Sequence, residues 1–247
     1  MKLTRFAIAL AVCVAVAPAS TITTVSDVPG ALSNVTVDST QANGANMAGM
    51  TITAVFSHSG TENCTWLSNG TCTGTDFRVS FPTGTDTLPG DTAWTVTNLS
   101  SSSSNVLETL TIDALAGDVD FDACETAGTP HSVTSACTGA TPGTNDAYTI
   151  GTAPGGSFGI TASVEYTNEL KLASQGSPLG DMWGEAVFTF GGNAFQGTTD
   201  RKETFTFYSD TDLLDSVKST TPEPATFGLV GVALIGAGIF RRKIGAR

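Results

Sequence analysis

Apolar and polar residues alternate with period two along much of this 247-residue chain, and that pattern constrains its fold class more than any other feature. Met50, Ile52, Ala54 and Phe56 alternate with Thr51, Thr53, Val55 and Ser57. Leu110, Ile112 and Ala114 alternate with Thr111 and Asp113. Phe158, Ile160, Ala162, Val164 and Tyr166 alternate with Thr161, Ser163 and Glu165. Shorter faces follow at Ala186, Phe188 and Phe190, and at Phe205 and Phe207. Successive side chains of a strand point to opposite faces, so each run reads as a strand with one core face. Helical spacing is nearly absent. Further strands are expected near Asn34–Asp38, Phe77–Phe81 and Ala93–Leu99, separated by Gly, Pro, Asn and Ser. The expectation is an all-β body over residues 20–215, an antiparallel β-sandwich or jelly-roll-like fold of roughly eight to eleven strands. A body of that length can bury a sizeable core, and its many threonines suit exposed strand faces.

Loops punctuate this body. Ser100 to Ser104 reads as a low-complexity turn, Ala123 to Asp146 as a longer loop rich in Gly, Thr and Pro, and residues 216–221 as a spacer. No repeat of fixed period is present. Apart from Cys13, the cysteines are Cys64, Cys72, Cys124 and Cys137, an even number suited to an oxidising compartment. Short separations favour the pairs Cys64–Cys72 and Cys124–Cys137. A two-residue hairpin turn at Asn69-Gly70 would set Cys72 opposite Leu67 instead, so either the first loop is irregular or the pairing differs. Neither a CxxC nor a nearby His pair supports zinc.

The two ends of the chain carry targeting chemistry. Lys2 and Arg5 precede an apolar run, Phe6 to Val16, and Ala17-Pro18-Ala19 offers a small-x-small site before a cut at Ser20. Residues 1–19 therefore read as a secretory signal. Cys13 follows Val12, where a lipoprotein signal wants a small residue. At the other end, Pro222-Glu223-Pro224 precedes sixteen uncharged residues, Ala225 to Phe240, and then Arg241-Arg242-Lys243. Sixteen residues at ~1.5 Å each span ~24 Å, slightly less than a ~30 Å hydrocarbon core. Gly228, Gly231, Gly236 and Gly238 lower the segment's helix propensity. The basic cluster is expected to stay cytoplasmic, which places the body outside. The segment reads as a single C-terminal transmembrane helix.

The order Pro-Glu-Pro, Gly-rich apolar helix, basic end over residues 222–247 resembles the PEP-CTERM sorting signal of Gram-negative bacteria. The resemblance implies recognition and processing near Pro222-Glu223-Pro224 by exosortase, a membrane cysteine protease-transpeptidase. It implies a precursor anchored in the inner membrane, whose body then passes to the cell surface or extracellular matrix. Pro222, Glu223, Pro224, Arg241, Arg242 and Lys243 are then features of a substrate and not catalytic residues. Such proteins are common in bacteria that make exopolysaccharide and biofilm or floc. The body also resembles a group of PEP-CTERM ectodomains, through an opening segment Asn46-Met47-Ala48-Gly49-Met50 with Trp66 and a closing segment Phe207-Tyr208-Ser209-Asp210-Thr211-Asp212. That likeness implies a shared fold and nothing catalytic.

Between Ser20 and Phe240 stand five basic residues against all 23 acidic ones, a net charge of −18. This disfavours nucleic acid and anionic lipid heads as partners. Asp118, Asp120 and Asp122 have the spacing of a calcium loop, but Ala123 and Thr129 stand where an EF-hand needs Gly and Glu. Val119 and Phe121 alternate with these acids, as on a solvated edge strand. Asp210 and Asp212, with Asp181 or Asp200, are candidates for a structural calcium at one end of the body.

His58 and His131 are the two histidines, and both read as surface residues. The many carboxylates make any glycosidase pair arbitrary. Trp66, Trp94 and Trp183 would form a sugar platform if exposed, although aromatics in strands usually fill a core. The Thr-x-Thr pairs at Thr51/Thr53, Thr71/Thr73, Thr95/Thr97 and Thr109/Thr111 lack the constant spacing of an ice-binding array. The leading expectation is a non-enzymatic surface or matrix protein whose partners are exosortase and extracellular polysaccharide. A carbohydrate-binding module would show adjacent exposed tryptophans. A secreted hydrolase would show a cleft with two close carboxylates, or a His–Ser contact.

Overall fold

A computed structural model describes residues 20–27, 33–35, 37–87, 92–123, 150–157, 159–172, 182–192, 195–196 and 203–214. The signal segment 1–19, Cys124 and Cys137 with their loop, His131, Phe158, Asp181, Asp200, the spacer and the tail 222–247 lie outside the described residues. The expected second disulfide and transmembrane helix lie there too. No helix among the described residues is long and apolar enough to cross a membrane.

The described strands are β1 (Thr21–Asp27), β2 (Ser33–Val35), β3 (Val37–Gln41), β4 (Thr51–Phe56), β5 (Gly60–Thr65), β6 (Thr71–Thr73), β7 (Phe77–Ser80), β8 (Trp94–Asn98), β9 (Val106–Asp113), β10 (Val119–Asp122), β11 (Gly151–Thr152), β12 (Ile160–Leu172), β13 (Met182–Gly192), β14 (Phe195–Gln196), β15 (Thr204–Tyr208) and β16 (Thr211–Leu214). A single 3-10 turn, Leu115–Gly117, joins β9 to β10. The strands form two sheets. The larger runs β3-β16-β10-β13-β9-β4-β5, with β12 also beside β13, β1 and β2 beside β12, and β14 beside β9. The smaller runs β11-β15-β8-β7-β6.

Both sheets face one core. The larger sheet contributes Ile52, Leu110, Ile112, Val164 and Phe188, and the smaller contributes Phe77, Val79, Val96, Phe205 and Phe207. Ile52, Leu110, Ile112, Val164, Phe188, Phe205 and Phe207 are positions that the alternation marks as core-facing, and Phe77, Val79 and Val96 lie in the further strands expected near Phe77–Phe81 and Ala93–Leu99. Each such side chain contributes roughly 1.5–3 kcal/mol by leaving water. Trp66 and Trp94 anchor the seam between distant segments. Trp66 Nε1 donates to the Gly44 carbonyl at 2.8 Å, and Trp94 Nε1 donates to the Ser209 carbonyl at 3.1 Å. The indoles lie 5.4 Å apart, and Trp94 stacks on Phe207 at 5.8 Å. The Asn46–Met50 and Phe207–Asp212 segments thus meet through this aromatic seam, and Thr211 Oγ1 donates to Met47 Sδ at 3.6 Å.

Several expectations require correction. Sixteen strands are described, more than eight to eleven. The added ones are mostly two to five residues long, too short to display a period. The pairing is not wholly antiparallel, since β1 and β2 both run parallel to β12. β10 is neither solvated nor an edge strand. It lies between β16 and β13, with Asp120 and Asp122 0% and 2% exposed. Alternation separates the two faces of a strand but does not say that both are covered.

Asn69-Gly70 does not make a two-residue turn. Leu67 N donates to the Thr71 carbonyl and Gly70 N to the Leu67 carbonyl, both at 2.9 Å, and Gly70 has φ 76°. This is a three-residue loop with glycine in the left-handed position. Leu67 therefore faces Thr71, one residue short of Cys72. The chain then crosses into the smaller sheet as β6. The Cys64–Cys72 disulfide, with Cα atoms 5.6 Å apart, ties the last strand of one sheet to the last strand of the other. Glu62 reinforces the tie, its Oε2 accepting from Thr75 N at 2.8 Å and Asp76 N at 2.9 Å. Replacing both cysteines by serine is expected to cost about 2–3 kcal/mol, the loop entropy of a ring this small. Urea unfolding of oxidised wild type against the double variant measures it.

On its outer face the larger sheet aligns polar rows. One reads Thr65, Thr51, Asp113, Glu185, Thr167, and the next Asn63, Thr53, Thr111, Val187, Glu165. Thr51/Thr53 and Thr109/Thr111 share this face, whereas Thr71/Thr73 and Thr95/Thr97 stand on the smaller sheet. Acids and Val187 interrupt the rows, so no continuous threonine array forms.

Candidate functional site

The closing segment places Asp210 and Asp212 against β10. Asp120 and Asp212 are direct strand partners, and Asp122 N donates to the Asp210 carbonyl at 3.2 Å. Asp210 and Asp212 are 6% and 5% exposed. Asp210 Oδ1 accepts from its neighbour Thr211 N at 2.9 Å and from Thr87 Oγ1 at 3.2 Å. Burial lifts the Asp210 carboxyl well above its ordinary range, and the Asp212 and Asp86 carboxylates add to the rise. The hydrogen bonds from Thr87 and Thr211 act in the opposite direction. Asp118 separates from the other acids of its motif. It is exposed, sits at φ 55° after the 3-10 turn, and offers its carbonyl to Leu214 N at 2.8 Å. Among the described residues no group of three or more His, Cys, Asp or Glu side chains is arranged to hold a metal ion.

The sign of the Asp210 effect follows from linkage. The folded state holds this proton to higher pH than the unfolded chain does. Stability is therefore lost as pH rises from the ordinary carboxyl value, about 3.9, through the raised one. Asp210→Asn keeps an acceptor oxygen for Thr87 and Thr211 and removes the charge. In chelator at neutral pH the variant is expected to melt higher by on the order of a few degrees. The advantage should vanish below about pH 4. Melting curves across pH read both.

A His–Ser contact exists at the 57–59 turn, where Ser57 Oγ lies 2.9 Å from His58 Nδ1. Ser57 Oγ also donates to the Ser104 carbonyl at 3.0 Å and accepts from Val106 N at 3.0 Å. The hydroxyl has one proton and two competing acceptors, and both bonds to the 104–106 segment lock a turn. Asn105, 4% exposed, completes the lock, accepting from Ser59 N at 3.0 Å and donating to Asp76 Oδ2 at 2.7 Å. Sequence reading missed this residue, because no motif distinguishes it from any other loop asparagine.

The tryptophan platform is overturned. Trp66 is 1% exposed, and Trp94 and Trp183 are 0% exposed. Their large apolar rings pack against Phe81, Phe207 and Tyr166, where they gain more than at a wet surface.

The site that defines a class of protein is therefore the C-terminal segment, carried by an all-β body. Residues 220–243 match the PEP-CTERM protein-sorting motif, which includes Pro222, Glu223, Pro224 and Arg241 to Lys243. In that signal the chain resembles PEP-CTERM proteins, and the motif implies an exported, membrane-anchored precursor sorted to the cell surface through exosortase. No curated protein and no solved structure matches the chain.

Proposed function

We propose that this chain is a structural, non-catalytic protein of the exopolysaccharide layer, released from its membrane anchor by exosortase. The observation that carries the reading is the sorting motif at residues 220–243. Support comes from the acidic, disulfide-tied body that precedes it and from Ser57, whose hydroxyl is committed to a turn. Expression in an exosortase-containing host, with mass spectrometry of the mature C-terminus, tests it. The expected product ends near Pro222-Glu223-Pro224. Changing all three to alanine is expected to leave uncut precursor in the membrane fraction. An intact tail on the mature protein would overturn the processing step.

A structural calcium at Asp210 and Asp212 belongs to the same proposal, supported by their joint burial beside β10. Calcium takes six to eight oxygens, so main-chain carbonyls and water would complete the shell. Calcium is expected to raise the wild-type melting temperature and not that of Asp210→Asn. Equal curves in calcium and chelator would remove the ion from the reading.

A further inference from the structure

We propose that the outer face of the larger sheet binds a polysaccharide bearing free amino groups, a polymer of unacetylated hexosamine. The inference rests on the surface-layer reading above and names the chemistry of the partner. Neutral sugars are commonly held by stacking on exposed aromatic rings, and the body has withdrawn all three tryptophans into its core. Leu67 is the exposed large hydrophobic side chain among the described residues. What the outer face offers instead is hydroxyls and carboxylates in register.

Asp113 and Glu185 stand directly opposite each other on neighbouring strands, and Glu165 lies one row further on. Like charges placed so are mutually destabilising, and a cationic group seated between them relieves the repulsion. Each is held in position, Glu185 Oε1 accepting from Thr167 Oγ1 at 2.7 Å and Asp113 Oδ1 from Ala116 N at 3.3 Å. Threonine and serine hydroxyls surround these acids, with strands ~4.8 Å apart and same-face residues ~6.8 Å apart along a strand. They match a ligand that alternates ring hydroxyls with ammonium groups. No basic side chain stands in these rows. The −18 charge of the surrounding span draws a polycation and repels an acidic polymer.

The test titrates the full chain, in detergent and chelator, with partially deacetylated hexosamine oligomers. Fully N-acetylated oligomers and a uronic-acid polymer run alongside. The expected result is binding of the amine form alone, lost as salt rises toward ~0.5 M. Asp113→Asn with Glu185→Gln is expected to weaken it roughly five- to tenfold. Glu165→Gln with Glu185→Gln, which spares the Asp113 turn contact, is expected to do the same. Asp76→Asn with Glu203→Gln removes equal charge beside the smaller sheet, just before β7 and β15, and is expected to change affinity less than about twofold. Equal weakening by all three pairs would overturn the proposal in favour of bulk charge. Binding that needs calcium, binding of the acetylated or acidic polymer instead, or no binding would also overturn it. Failure of the sorting reading shows separately, as an intact tail.

Discussion

Trp94→Ala is expected to cost about 3–5 kcal/mol, the usual loss for truncating a fully buried tryptophan. Against a total stability of about 5–15 kcal/mol, that is enough to leave much of the protein unfolded at physiological temperature. The indole touches Trp66 at 5.4 Å, Phe81 at 5.3 Å and Phe207 at 5.8 Å, so its removal opens a cavity shared by both sheets. A milder change separates packing from hydrogen bonding. Trp94 Nε1 serves the Ser209 carbonyl, whereas Trp183 Nε1 is buried with no hydrogen-bond partner. Trp94→Phe strands a buried carbonyl at about 1–3 kcal/mol, and Trp183→Phe removes an unsatisfied donor. Denaturant unfolding should therefore find Trp94→Phe distinctly worse. Equal losses would show that the Ser209 bond contributes nothing.

Gly70→Ala is expected to cost about 2–4 kcal/mol, from a left-handed backbone and from a clash. A Cβ at Gly70 would collide with the Phe81 carbonyl oxygen, and a Cβ at Gly44 would strike the same oxygen from the 43–49 turn. Phe81 is therefore threaded between two glycines, with Phe81 N donating to the Gly70 carbonyl at 2.9 Å and Gly44 N to the Pro82 carbonyl at 2.9 Å. The Phe81 oxygen cannot retreat without disturbing one of these two hydrogen bonds. Gly60 supplies the comparison, because it has φ 82° and open space around its missing side chain. Gly60→Ala should lose only about 1 kcal/mol, the conformational part alone. If chemical denaturation finds the two alanine variants alike, the collision at Phe81 is not what glycine relieves.

The long strands were legible because period two is a property of neighbours in sequence. Ile52, Ala54 and Phe56 could be assigned to the core from their period-two spacing, and the structure buries all three. Burial on both faces of a strand is not written in its own residues. Asp120 and Asp122 look solvated until β10 is placed between β13 and β16. The Cys64–Cys72 pair was readable from spacing, yet its role was not. The one-residue difference between a two-residue and a three-residue loop decides that the bridge crosses between sheets. The tryptophans fail as a sugar platform for the same reason. Residue type names what a ring can do, and only the packing around it shows that all three rings are buried. The sorting signal, by contrast, was fully visible, because it is read by another protein as a linear segment.

The tie between β5 and β6 has a consequence for molecules at high density. A terminal strand is an invitation to pair with another chain, and flat exposed edges are where secreted β proteins begin to aggregate. Here the last strands of the two sheets are joined to each other, covalently by the disulfide and by the Glu62 carboxylate reaching the 75–76 amides. Crowded copies are thereby steered away from fusing edge to edge at this margin. Copies held close together can then remain separate, exchangeable molecules.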